Sequence, residues 1–305
     1  MAGLKIIKTK IRSIEKTQTV TKAMEAVSAA KMRKAQLRAI HGRAYARAAV
    51  SILSRVSGSQ EMQNHPLVAT RPVVKALYIV ITSDKGLAGA LNSAVLRGTT
   101  ADIAASGLSH ENISIIAVGR KAHDFFTTRG FTVEASHRNT DEISSELIRE
   151  IVDEAADRYA LGAVDTVKIA YQNFISTFEQ RPTLRTVFPL SLGELSRVVG
   201  DIVPAKGVFS NLHKEGSQPH TYTIEPSAEE ILDTIIPKLA SIFVYHALLE
   251  SQASEHSARM VSMKSASDKA AEMEHALTLK FNKARQAVIT REVSEITGGM
   301  EAMAG

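Results

Sequence analysis

From Lys238 to Thr297 the chain runs for 60 residues without a glycine or proline, and from Leu4 to His41 for another 38. All eight prolines lie between Pro66 and Pro237, and Gly42 is the only breaker between His41 and Gly58. Glycine costs a helix interior about 1 kcal/mol and proline about 3, so both ends are expected to be helices far longer than the average of about 11 or 12 residues. At ~1.5 Å per residue the C-terminal one would reach roughly 90 Å, which is expected to carry it beyond a domain of ordinary size.

The apolar period indicates what these helices pack against. Steps of three and four from Leu232 pass through Ile235, Leu239, Ile242, His246, Leu249, Ala253, His256, Met260, Met263, Ser267, Ala270, Glu274, Leu277, Phe281, Ala284 and Val288. A sustained 3.5 period is the mark of a left-handed coiled coil. The N-terminal segment answers with Leu4, Ile7, Ile11, Ile14, Val20, Met24, Val27, Leu37, Ile40 and Ala44, a seam interrupted by Thr17, Gln18 and Thr19. The two ends are therefore expected to wind together as an antiparallel pair. Ser227 and Glu230 supply a capping box before the second helix, and Pro237 is expected to kink or restart it. Met24, Met32, Met260, Met263 and Met273 fit either core filling or a surface that slides against changing partners. His246 and His256, on the seam, read as packed or register-setting residues.

Composition narrows the function. There is no cysteine, which excludes disulfides, thiolate metal sites and a cysteine nucleophile. With no tryptophan and 5% aromatics, little is left for base stacking. No stretch of 18 uninterrupted apolar residues occurs, so a membrane span is not expected. Residues 1–11 lack the core of a secretion signal, and a reducing cytoplasmic setting is the expectation. Residues 1–55 hold thirteen Lys and Arg against Glu15 and Glu25, while the rest of the chain is net acidic. That asymmetry suits nucleic acid, anionic lipid or an acidic protein surface, or simply a solvated basic face.

The middle reads as α/β. Strands are expected at 73–81, 113–118, 131–135, 167–171, 184–188 and 222–224, with helices at 87–105, 120–129 and 141–161. Alternating strands and helices imply a mainly parallel, doubly wound, Rossmann-like sheet; residues 190–220 read as loop. The domains expected are 1–60 and 227–305 as coiled-coil helices and 72–226 as the α/β domain. After the first strand comes Ser83-Asp-Lys-Gly-Leu-Ala-Gly-Ala-Leu-Asn92. Gly86 and Gly89 fit neither G-x-x-x-x-G-K-[ST] nor G-x-G-x-x-G. Asp84 and Lys85 could touch a phosphate, but a tight turn accounts for the glycines without a ligand. Neither metal-ligand spacing among the ten histidines nor a G-x-S-x-G motif is present. The expectation is no catalytic, cofactor or metal site and no small-molecule substrate. A nucleic-acid binder would need a recognition motif and an α/β enzyme a complete ligand turn, and the sequence offers neither.

Several segments carry a family resemblance. Met1-Ala-Gly3, Ile11-Arg-Ser-Ile14, residues 17–24 and Ala30-Lys-Met-Arg-Lys34 resemble the opening of the gamma subunit of F-type rotary ATP synthase. The 83–92 turn resembles that family's S-D-[KR]-G-L-C-G-x-[LF]-N, with Ala88 where cysteine is usual. Residues 255–268 and 282–296 resemble its closing helix. The Cys-bearing regulatory insert of chloroplast-type members is absent, so thiol switching is not implied. The resemblance implies a non-catalytic rotor shaft inside the ring of alpha and beta subunits, with the α/β domain at the foot beside epsilon and the membrane c-ring, and delta as a further partner. It implies ring contacts at Met24, Glu255, Arg259, Arg285, Gln286, Thr290 and Glu292. It also implies a peripheral membrane protein on the cytoplasmic face of the bacterial plasma membrane, or on the matrix side of the mitochondrial inner membrane.

Overall fold

The computed structural model describes residues 2–56, 64–191, 193 and 228–304. The expected strand at 222–224, the cap at Ser227 and most of the 190–220 loop lie outside the described residues. In chain order the elements are α1 (Ala2–Val56), β1 (Ala76–Ile81), α2 (Leu91–Ser106), β2 (Ile113–Val118), α3 (Arg120–Thr128), β3 (Thr132–His137), α4 (Ser145–Ala160), β4 (Thr166–Ser176), β5 (Glu179–Phe188) and α5 (Ala228–Ala304). Met1–Ser28 with Met260–Gly305 form one compact unit, and Ala29–Arg259 form the other.

In the first unit the two helical segments pair antiparallel, and their inward residues follow the heptad. None of the seventeen seam positions expected on α5, in either unit, is exposed. The α1 seam differs from expectation. Val20 and Val27 are 57% and 55% exposed, and Leu37, in the second unit, also faces out. The strict period instead runs Leu4, Ile7, Ile11, Ile14, Gln18, Thr21, Glu25 and Ser28, so Gln18 continues the seam rather than interrupting it. Thr21 and Ser28 are buried. Thr21 satisfies its hydroxyl by donating to the carbonyls of Thr17 and Gln18, both at 3.0 Å. A hydroxyl bonded back to its own helix needs no partner across the seam, so it can be buried there without an unsatisfied donor.

The second unit is a five-stranded sheet in the order β3-β2-β1-β4-β5, parallel except for β5. Successive residues of β1 serve opposite cores. Leu77, Ile79 and Ile81 join α4 and residues 232–248 of α5, while Ala76, Tyr78 and Val80 join α2 and α3. The last strand is longer than expected and forms an antiparallel hairpin with β4. Pro182 sits within it, which only an edge strand tolerates. Pro237 does not break α5, contrary to expectation. Ser241 Oγ donates to its carbonyl at 2.9 Å, and Leu232, Ile236, Leu239 and Ala240 around it are fully packed. One 18-residue window in α5 is apolar enough by composition to cross a membrane, but 56% of it is buried within the protein.

Candidate functional site

Helices α2 and α3 cover one face of the sheet and α4 the other. The winding therefore reverses between β1 and β4, where folds of this kind hold ligands, outside the carboxyl ends of the strands. Here that place is occupied by the chain's own α5. Gln252 Nε2 donates to Thr140 O after β3 at 2.6 Å. Ser254 Oγ donates to Gln172 O in β4 at 3.1 Å, and Ser257 Oγ to Thr177 O beyond it at 2.7 Å. Arg259 Nε and Nη2 donate to Gly86 O, after β1, at 3.4 and 3.3 Å. Residues 246–257 are buried without exception.

The turn at 83–92 is closed on itself in the same way. Asn92 Oδ1 accepts from Ser83 N at 2.9 Å, and Asn92 Nδ2 donates to Ser83 Oγ at 2.7 Å. Ser83 Oγ donates to Lys85 O at 2.5 Å. Asp84 Oδ1 accepts from Arg120 N at 2.9 Å, so its carboxylate caps α3. Leu87 is held at φ 65, the left-handed region that costs a side-chain-bearing residue about 1–2 kcal/mol. This explains why α2 begins at Leu91 and not at Leu87 as expected. Among the described residues no group of three or more metal-capable side chains comes together.

Of the residues implied by the resemblance, Glu255 and Arg259 are brought together: Arg259 Nη2 donates to Glu255 Oε1 at 2.6 Å, and both are buried. Burial pushes the Glu255 carboxyl above its ordinary range even though Arg259 pulls it down. Removing one partner of such a pair strands the other charge, at about 3–5 kcal/mol. Arg285, Gln286, Thr290 and Glu292 lie exposed on α5, away from the seam. Met24 is half-buried on α1. The sequence reading missed their apolar neighbours. Val20 and Val27 flank Met24 at i−4 and i+3, and Ile289, Val293, Ile296 and Met300 form an exposed stripe among the polar tip residues. The signal was available, since helical spacing sets 289, 293, 296 and 300 on one face, but the seam reading absorbed Val20 and Val27.

Two buried histidines make this unit acid-sensitive. Burial, with Arg185 nearby, pushes His246 down to about 3, and burial, with Arg259, pushes His256 down to about 4. Both values lie below the ordinary 6.5, so the folded chain keeps these rings neutral where the unfolded chain takes up protons. The stability they support is complete above about pH 6.5 and falls as pH drops from there toward 4, by the order of 1–2 kcal/mol per histidine at pH 5. Urea unfolding is expected to show a lower midpoint at pH 5 than at pH 7.5, with a shallower dependence in His246→Leu; a midpoint as high at pH 5 would contradict this.

The chain thus comprises a unit of two terminal helical segments joined by a heptad seam and a Rossmann-like unit whose ligand crevice is filled from within. A family model described as ATP synthase matches residues 3–303. The ATP synthase gamma chain of Heliobacterium modesticaldum is 40% identical over 306 residues, covering 99% of this chain and 100% of that one. That of Staphylococcus saprophyticus is 37% identical over 304 residues, with the same coverage. A chain in the Euglena gracilis mitochondrial ATP synthase structure comprising OSCP, F1 and c-ring superposes with a TM-score of 0.64 at 17% identity, over 99% of this chain and 95% of that one. A chain in the Tetrahymena thermophila central stalk and c-ring structure gives 0.60 at 23%, over 81% and 99%. The chain belongs to the ATP synthase gamma-chain family.

Proposed function

We propose that this chain is the central shaft of a proton-translocating F-type ATP synthase and catalyses nothing itself. It turns inside the alpha/beta ring and couples ion flow through the c-ring to ATP synthesis and hydrolysis. The observation that carries the reading is the full-length family match on a fold whose usual ligand crevice is filled by its own helix. Residues 1–60 and 227–305 act as the shaft segments and 72–226 as the foot, beside the epsilon subunit and the c-ring, with delta a further partner of the complex. The bacterial relatives support a peripheral position on the cytoplasmic face of the plasma membrane.

Roughly three protons at ~150 mV supply about 10 kcal/mol per rotary step. That work must cross the helix pair without melting it, which a two-stranded element sustains better than a lone helix. An asymmetric shaft gives three otherwise equivalent sites different contacts, and those contacts must differ in free energy between states to shift them. Met24, Arg285, Gln286, Thr290 and Glu292 are the ring-contact residues, joined by the exposed apolar residues beside them. Glu255 and Arg259 serve the ring indirectly, by holding the 83–92 turn.

Co-purification with alpha and beta subunits at one copy per three pairs tests the assignment. Isolation as a free monomer from membranes rich in those subunits would overturn it. In the assembled complex, Arg285→Ala with Gln286→Ala is expected to lower ATP synthesis several-fold, since two exposed contacts of about 1 kcal/mol each are lost, with no change in the unfolding of the α/β unit. Synthesis at the parental rate would remove these two residues from the contact set.

A further inference from the structure

Beyond Leu248 the hold of α5 on the sheet changes character. Up to that residue the helix is packed into the apolar core. From Gln252 to Arg259 it is held by side-chain hydrogen bonds to β4 and to the loops, with one small apolar cluster of Met32, Ala35, Phe174 and Ala253. Within this polar stretch, Asp141 touches both long helices at once. Its Oδ2 lies 2.5 Å from Lys31 Nζ on α1, and its Oδ1 3.3 Å from His256 Nε2 on α5. Its backbone carbonyl accepts from Arg38 Nη1 at 3.0 Å. The preceding residues of the same loop, Asn139 and Thr140, accept from Gln252.

The loop that carries Asp141 is itself fixed. Asn139 Nδ2 donates to Thr82 O at 2.8 Å, at the end of β1, and Ser144, three residues on, caps α4 through Leu147 N. Burial alone would raise the Asp141 carboxyl, but the Lys31 ammonium, with His256 and Lys85, holds it below its ordinary range, so it is anionic. Lys31 and Asp141 are 40% and 56% exposed, and an ion pair so open to water contributes little to stability. Its geometry sets direction instead: one loop of the α/β body reaches a fixed azimuth on each helix. Lys31 is two residues from Ala29 and His256 three from Arg259, the residues at which this unit ends on the two helices.

We propose that Asp141 is a positioning residue that fixes the rotational register of α1 and α5 against the α/β body, so that turning of the body passes to the helices without slip. This deepens the shaft reading and rests on it. The test uses the assembled complex in proteoliposomes, reading protons pumped per ATP hydrolysed together with hydrolysis per assembled complex. Asp141→Ala is expected to lower the pumping ratio about threefold at unchanged hydrolysis. Lys31→Glu is expected to do the same, and Lys31→Glu combined with Asp141→Lys to regain most of the loss. Should Asp141→Ala fail to assemble, Asp141→Asn, which still accepts from Lys31 but lacks the charge, is expected to give an intermediate ratio. A ratio equal to the parent's in the assembled single variants, or parallel losses of pumping and hydrolysis, overturns the positioning role. A parent chain that supports no ATP-driven pumping overturns the shaft reading instead.

Discussion

Gly119→Ala is expected to destabilise the α/β unit severely. Gly119 follows β2 with φ at 94, and a Cβ built there lies 2.1 Å from the Thr82 carbonyl oxygen and 2.7 Å from its carbon. The obstruction is backbone and cannot swing aside. Thr82 is in turn pinned: its N–H donates to Val118 O at 2.8 Å, and its Oγ1 accepts from Ala122 N at 2.9 Å. Positive φ and the clash together should cost upwards of about 3 kcal/mol, a large share of the 5–15 kcal/mol typical of a folded domain. Gly98→Ala is the matched control. Its Cβ would meet Leu184 Cδ1 at an ordinary 3.6 Å within α2, so stability should hold or rise by up to about 1 kcal/mol. Urea midpoints of the two variants decide the matter, and a Gly119→Ala midpoint within error of the parent's would refute the steric account.

The second large effect is expected from Leu249→Pro. Leu249 is 1% exposed in the middle of α5. Proline there removes a helical hydrogen bond and drives its ring against the carbonyl of Tyr245, at about 3 kcal/mol or more. Natural Pro237 is tolerated in the same helix, but its surroundings differ. Residues 233, 234 and 238 are exposed, whereas residues 246–257 are buried on every side and leave no room for a kink. Loss of the soluble chain, or of proton-driven ATP synthesis in the complex that carries it, is the expected result. Full synthesis would argue that α5 need not be continuous.

How much of this was legible in the sequence differs between elements. The seam of α5 could be read because apolar residues recur at every third or fourth position over its length. On α1 the same period is written in Gln18, Thr21 and Ser28; a search for apolar residues therefore moved to Val20 and Val27, which face outward. Strands β1 and β2 were evident because both their faces are buried and both read apolar. The first half of β5 was not, since Glu179, Gln180, Arg181 and Pro182 look like a loop until their pairing with β4 is known. The Ser83–Asn92 turn could be found but not interpreted. The residue that grips it, Arg259, lies more than 170 residues away, and nothing local to either segment announces the other. Asp141 belongs to no motif at all, and its place between the two helices appears only once the chain is folded.

The antiparallel pairing of α1 with α5 also sets the timetable of biosynthesis. Residues 29–259 must leave the ribosome before the partner of residues 1–28 begins to emerge, a delay of roughly 10–45 s at about 5–20 residues per second. Throughout that interval Leu4, Ile7, Ile11 and Ile14 have nothing to cover them, so the nascent N-terminus is where a chaperone would bind. The hydroxyl- and amide-bearing seam that follows, at Gln18, Thr21 and Ser28, keeps that waiting surface short and discourages two unfinished chains from joining through it.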